Sequence, residues 1–146
     1  YSLELLNIIS SHWHVKSKIG QYPRHMPFYD LSHQSNGLNI TLAIFKKFIN
    51  QAKNNEQYPI ITIIPTCLDL EYINKKKILP YQSLIDELLK NDITFFDFSS
   101  SFLNTDNFYD LFGSCNGHPN AAGYELMAKS FKDFIDNDIY LLNDKN

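Results

Sequence analysis

The chain has 146 residues, enough for one compact domain with a core of its own. Hydrophobic residues make up 44% and charged residues 20%, a globular rather than a disordered balance, and the net charge of -3 argues against a broad nucleic-acid interface, which needs a basic face. No apolar stretch approaches the ~20 residues of a membrane span, and the opening YSLELLNIISSHWH lacks the basic start and unbroken apolar run of a signal peptide.

The chain opens at Tyr1 without a methionine, so part of a longer or processed protein is expected. Residues 2–9 carry Leu3, Leu5, Leu6, Ile8 and Ile9, which fits a short buried helix. His12 and His14 flank Trp13. Residues two apart share a face on a strand but not on a helix, and with no third ligand in view an amphipathic surface turn is expected there rather than a metal pair. From 20 to 37 the composition changes: Gly20, Pro23, Pro27 and Gly37 break any period, predicting a long ordered loop. Arg24, His25, Asp30 and His33 lie in it as possible pocket residues, though their expected work is to satisfy loop backbone.

The spacing of Leu38, Leu42, Phe45, Phe48, Ile49 and Ala52 predicts an amphipathic helix over 38–52, with Lys46, Lys47 and Asn50 on its wet side. Asn39-Ile40-Thr41 matches a glycosylation pattern, but falls inside that helix. Residues 59–65, PIITIIP, are a short β-branched run bounded by prolines, which reads as a strand buried on both faces. The stretch TCLDLEYINKKKIL reads as the loop after it, with Lys75, Lys76 and Lys77 solvated. A helix is predicted over 80–90, with Leu84, Ile85, Leu88 and Leu89 on one face and Asn91-Asp92 ending it. Residues 93–98 read as a second strand, and strand, helix, strand at this spacing is a βαβ unit. A closing helix over 119–135 is expected to pack Leu126, Met127, Phe131, Phe134 and Ile135 inward, with a short, partly frayed tail from residue 136. No internal repeat and no second domain is visible.

The class is therefore α/β with parallel strands. Ligands of such sheets bind outside the carboxyl ends of the strands. The loop at 66–70, the segment 97–101 and the loop before His118 are all expected at that edge. Two strands are few for an independent sheet, so strands upstream or a partner are expected.

The stretch LFGSCNGHPNAAGYELMAKSF, residues 111–131, organises the rest. Gly113 and Gly117 permit unusual backbone shapes, and Pro119 suits the first turn of a helix. His118 then sits at the mouth of a helix, a placement suited to a general base. The plainer and commoner alternative is a helix start with an exposed histidine. Cys67 and Cys115 are too few for a disulfide scaffold and match no zinc motif. They are expected as unpaired thiols, pairing only in an oxidising compartment.

The segments IITIIPTCLDL, ITFFDFSSSF and above all GHPNAAGYELMA resemble the C-terminal half of SGNH (GDSL-type) hydrolases, over roughly residues 38–136. The resemblance implies a three-layer α/β/α, flavodoxin-like parallel sheet whose N-terminal strands are missing from this chain. It places His118 on the family's catalytic histidine, and Pro119, Asn120, Gly123 and Tyr124 on the usual continuation. The implied reaction is acyl transfer to water without metal or cofactor: a serine attacks a small-molecule or glycan-linked acyl ester, with the histidine as base. The family's aspartate would stand at 115, where this chain has Cys115. Asp97 and Asp110 are the candidate substitutes, and a Ser–His dyad with no acid is the alternative. The Gly-Asp-Ser block that carries the nucleophile and the oxyanion-hole blocks have no match in the chain. Two other readings stay open. One is a non-catalytic binding or structural module on the same fold. The other is a thiol-dependent hydrolase using Cys115 or Cys67. Ser99-Ser100-Ser101 is a further nucleophile source, though such a cluster after a strand is more often a polar turn. Nothing in the sequence specifies the oligomeric state.

Overall fold

The computed structural model describes residues 26–115 and 117–139. The predicted helix at 2–9, the His12/His14 pair, Arg24, His25 and the last seven residues of the predicted tail lie outside them. In chain order, a 3-10 turn at Met26–Tyr29 precedes α1 (Gly37–Asn54), β1 (Ile61–Ile63), α2 (Cys67–Lys76), α3 (Gln82–Lys90), β2 (Phe95–Asp97), α4 (Ser99–Leu103), a 3-10 turn at Phe108–Leu111, and α5 (Ala121–Phe134), which runs into a π turn at Ile135–Ile139. The architecture is mixed α/β, mainly helical, with a two-stranded parallel sheet. Among the described residues no helix is long and apolar enough to cross a membrane. The chain divides into two compact units, Tyr1–Pro59 with Glu71–Ile93, and Ile60–Leu70 with Thr94–Asn146.

In the first unit, α1 starts at a left-handed Asn36 (φ 53°) and buries Leu38, Leu42 and Ala52. Asparagine tolerates that conformation better than most residues. The helix outlasts its predicted end by two residues and stops where Asn55 N–H returns to the Ala52 carbonyl. Phe48, expected inside, is half exposed at 49% and shares a face with the exposed Ile44 and Ile40, four and eight residues back. The short helix α3 buries Leu84, Ile85 and Leu88, as its spacing predicts, but leaves Leu89 64% exposed. At about 100° per residue, Leu89 lies about 140° round the helix from Leu84 and falls off the buried stripe. The predicted stop is confirmed: Asn91 N–H bonds the Glu87 carbonyl, Asp92 turns left-handed (φ 51°), and Ile93 N–H reaches back to the Leu88 carbonyl at 3.0 Å.

In the second unit, β1 and β2 pair in parallel with Ile61 opposite Phe95 and Ile63 opposite Asp97. The ladder extends through Ile61 N–H to the Thr94 carbonyl and Phe98 N–H to the Ile63 carbonyl, each 3.0 Å. Both strands are shorter than predicted. The first is not buried on both faces, because Thr62 and Ile64 are exposed. Among the described residues β1 has one neighbouring strand, and nothing covers the side chains of Thr62 and Ile64. The core of this unit is Cys67, Leu70, Phe98, Phe102, Phe108, Phe112 and Met127, with Phe96, Leu126 and Phe131 packed on its margin. Phe96 meets Phe98 edge-to-face and Phe134 tilted, both with ring centroids 4.8 Å apart, so the closing helix docks on β2 through aromatic pairs. Met127 is buried, while Phe131, Phe134 and Ile135 are half-buried.

The stretch read as a loop after β1 is in fact the helix α2. Its start is a reciprocal cap. The Asp69 carboxylate accepts hydrogen bonds from Thr66 N–H at 2.7 Å and from the Thr66 hydroxyl at 2.8 Å, and the Thr66 Oγ1 accepts from Asp69 N–H at 3.2 Å. This is the Thr-x-x-acid capping pattern, present in the sequence as T-C-L-D. Thr66→Ala is expected to destabilise the protein by about 1 kcal/mol, the usual value of such a cap. A urea melt followed by far-UV circular dichroism measures it.

Candidate functional site

The carboxyl end of β1 leads through Ile64, Pro65 and Thr66 into α2, whose first residue is Cys67. The sulfur of Cys67 is bonded to that of Cys115, with the two Cα atoms 5.0 Å apart. This corrects the expectation of two unpaired thiols. The cysteines do lie at one edge, as their positions after the strands predicted, and at that separation a disulfide fits ordinary geometry. The loop that carries His118 is thereby held at the carboxyl end of the parallel strands.

The base of that loop is built by the HPNAAG run. Phe112 and Pro119 form an antiparallel bridge, and Asn120 N–H donates to the Leu111 carbonyl at 2.9 Å. The Asn120 side chain works in both directions. Its Oδ1 accepts from Gly123 N–H at 3.1 Å, capping α5, and its Nδ2 donates to the Asp110 carbonyl at 2.8 Å. Gly123 faces the same segment so closely that a Cβ there would lie 2.4 Å from the Leu111 carbonyl oxygen and 2.8 Å from Pro119 Cβ. Inside the loop, Gly117 N–H turns back to the Ser114 carbonyl at 2.9 Å. Gly113, Ser114, Gly117 and His118 are exposed, while Cys115 packs against the core.

His118 is thus an exposed imidazole at the foot of a braced loop. Asp97 ends β2, half-buried, and its Oδ1 accepts the Ser99 N–H at 2.9 Å, which starts α4. Asp110 is exposed in the 3-10 turn, and the bond that ties it to the loop runs from its main-chain carbonyl. The structure places all three in one unit. Among the described residues no hydrogen bond or ion pair joins His118 to either aspartate. The serine cluster expected as a polar turn instead opens the short helix α4, with Ser99 buried and Ser100 exposed. The cysteines, joined to each other, offer no thiolate to a metal or to a carbonyl in this form.

In the first unit, Asp30 and His33 do the loop work expected of them. The Asp30 Oδ1 accepts from the Ser32 N–H at 2.8 Å and the Ser32 hydroxyl at 2.7 Å, and His33 Nδ1 lies 2.8 Å from the Ser35 Oγ. The hydrogen bonds from the Ser32 side chain and then its backbone hold the Asp30 carboxyl below its ordinary pKa. Asp30 also lines a shallow cleft of about 390 Å³ with Tyr29, Leu31, Ile78, Leu79 and Pro80. His33 does not line it.

Two groups at the site were missed from sequence. Asp69 is buried under the Thr66 cap, and its signal was the capping pattern itself. The disulfide had no local signal, because its partners are 48 residues apart. No protein-family model, curated protein or solved structure matches the chain.

Proposed function

We propose that this chain is the C-terminal part of an SGNH-like ester or acyl hydrolase domain, of the three-layer α/β/α, flavodoxin-like type. In this reading His118 is the general base for a serine nucleophile contributed from outside this chain. The observation that carries the proposal is an exposed imidazole on a cross-linked loop at the carboxyl end of parallel strands. That edge is where open α/β sheets bind ligands. An imidazole ordinarily titrates near neutral pH, so it can take a proton from a serine hydroxyl and return it to the leaving alcohol. The serine oxygen would bond to the ester carbonyl carbon, the alcohol would leave, and water would then release the acyl group by the same proton transfers. Asp97 and Asp110 are the candidate acids, and both lie in the unit of His118. Either would act by orienting His118 once the loop is engaged by substrate, since catalytic hydrogen bonds often tighten only in the complex.

The test is hydrolysis of a small activated acyl ester, and of an acylated glycan, by the parent protein extended upstream of Tyr1. His118→Ala is expected to lower kcat/KM at least about a hundredfold, within the usual range for removal of a general base. Turnover unchanged by that substitution removes His118 from the mechanism.

A second reading, a non-catalytic binding or structural module, is favoured by one specific observation. Asn120 and Gly123, two of the matched positions, have structural work in joining α5 to the 3-10 turn, and among the described residues no carboxylate bonds His118. Function must be argued from the site and not from the fold. A folded parent with no turnover on any acyl ester supports this reading.

A further inference from the structure

The loop between the Phe112–Pro119 bridge and its tip offers little burial of its own. Gly113, Ser114, Gly117 and His118 are exposed, and Cys115 is the described loop residue that packs on the core. Its partner Cys67 is fully buried at the first turn of α2, directly after β1. The cross-link therefore ties the inward-packed Cys115 to a capped helix start that follows a strand.

We infer that Cys115, through its disulfide to Cys67, is a positioning residue for His118: the covalent tether holds the imidazole at the sheet edge. The inference rests on the hydrolase reading only for what the imidazole does once placed. Cys115 stands three residues before His118, so the tether leaves only a short stretch of chain free between the anchored sulfur and the histidine. At about 3.3–3.6 Å per residue even a fully extended stretch confines His118 to about 11 Å from the Cys115 anchor, and the Phe112–Pro119 bridge closes the other side. Without the tether the loop would be held at its base alone. The core would keep Phe98, Phe102, Phe108, Phe112 and Met127. The base would keep the Asn120 bonds and the close packing of Gly123. Loss of the cross-link should then loosen the loop selectively, beyond any general loss of stability.

The experiment compares the full chain with Cys67→Ser/Cys115→Ser, and with Phe98→Ala as a destabilised control that keeps the disulfide; the Phe98 ring packs on Phe96 and Phe131. Two quantities are read: amide hydrogen exchange of the loop residues, and the backbone order parameter of His118 from NMR relaxation. In the double-serine protein the loop amides are expected to exchange at least about tenfold faster, and the His118 order parameter to fall to the range of a flexible segment. In Phe98→Ala both are expected to stay where they are in the parent. Equal changes in the two variants, or an unchanged loop in the double-serine protein, overturn the inference. Should the double variant not fold, the native chain is reduced with a dithiol instead. The S–S bond breaks, two protein thiols form, and the dithiol closes to its own disulfide, supplying the two electrons and two protons. Attack is expected at the half-buried Cys115 sulfur, since Cys67 is inaccessible, and the same two readouts decide. None of these measurements involves ester turnover. Failure of the hydrolase reading would show in the His118→Ala assay and leave the loop result standing, and the reverse also holds.

Discussion

Gly123→Ala is expected to destabilise the protein by about 2 kcal/mol, although alanine is the better helix former by about 1 kcal/mol. The sign reverses because the added methyl group would sit 2.4 Å from the Leu111 carbonyl oxygen and 2.8 Å from Pro119 Cβ. Neither neighbour can give way cheaply. The Leu111 carbonyl accepts the Asn120 N–H at 2.9 Å, and Pro119 is bridged to Phe112. Forcing extra volume into a packed contact typically costs about 1–3 kcal/mol, and a shift of the α5 start would also strain the Asn120 cap. Gly113→Ala is the internal comparison. Nothing lies within 4 Å of a Cβ at that position, so its effect should stay within about 0.5 kcal/mol, as for ordinary surface changes. Urea melts of the two variants separate the cases. A Gly123→Ala protein as stable as the parent would mean that α5 does not start against the 3-10 turn in this way. In the hydrolase reading, Gly123→Ala should also lower turnover, since it moves the base of the loop that holds His118.

Loss of the Cys67–Cys115 disulfide has the largest expected effect on stability, about 4 kcal/mol at 25 °C by the chain-entropy relation for a loop of this size. The long sequence separation of 48 is the reason: the cross-link denies the unfolded chain many of its conformations. For a small protein with total stability of about 5–15 kcal/mol this is a large share. Chemical denaturation of Cys67→Ser/Cys115→Ser against the oxidised parent measures it. A difference below about 1 kcal/mol would mean that the two sulfurs are not joined in the folded protein. The mutated Cys67 position is completely buried, so a Cys67→Ala/Cys115→Ala pair checks that a serine hydroxyl in the core is not the cause.

These outcomes bear on how the HPNAAG run is understood. Asn120 and Gly123 are there because a helix must begin against a carbonyl, and a bulky residue would hold the two apart. His118 has no such role in the described contacts. It is exposed, and it is carried by a brace that its neighbours build. The residues around the histidine thus have structural roles, and the His118→Ala assay reads what the histidine itself does.

The linear pattern of residues was enough for the mixed α/β class, the positions of α1, α3 and α5, and the two strands. It also determined the stop at Asn91-Asp92. These follow from period, turn chemistry and β-branched composition, which are local and need no partner. It determined as well that a helix follows His118 closely, but Pro119, expected in its first turn, is bridged to Phe112 instead and the helix starts at Ala121 behind the Asn120 cap. The tertiary structure decided the rest. Phe48 and Leu89 carry helical spacing but lie off the buried stripe, since spacing shows which residues share a face and not how wide the covered face is. Thr62 and Ile64 stay exposed because burial of a strand depends on its neighbours in space. The stretch after β1, expected as a loop, is the helix α2, whose start is closed by a buried carboxylate and a threonine that cap each other's N–H groups. Above all, the pairing of Cys67 with Cys115 across 48 residues could be placed at one edge from sequence but not joined. Only the packing of α2 and the 113–118 loop on one core brings the sulfurs within bonding reach, and that contact, made through space, fixes where the imidazole stands.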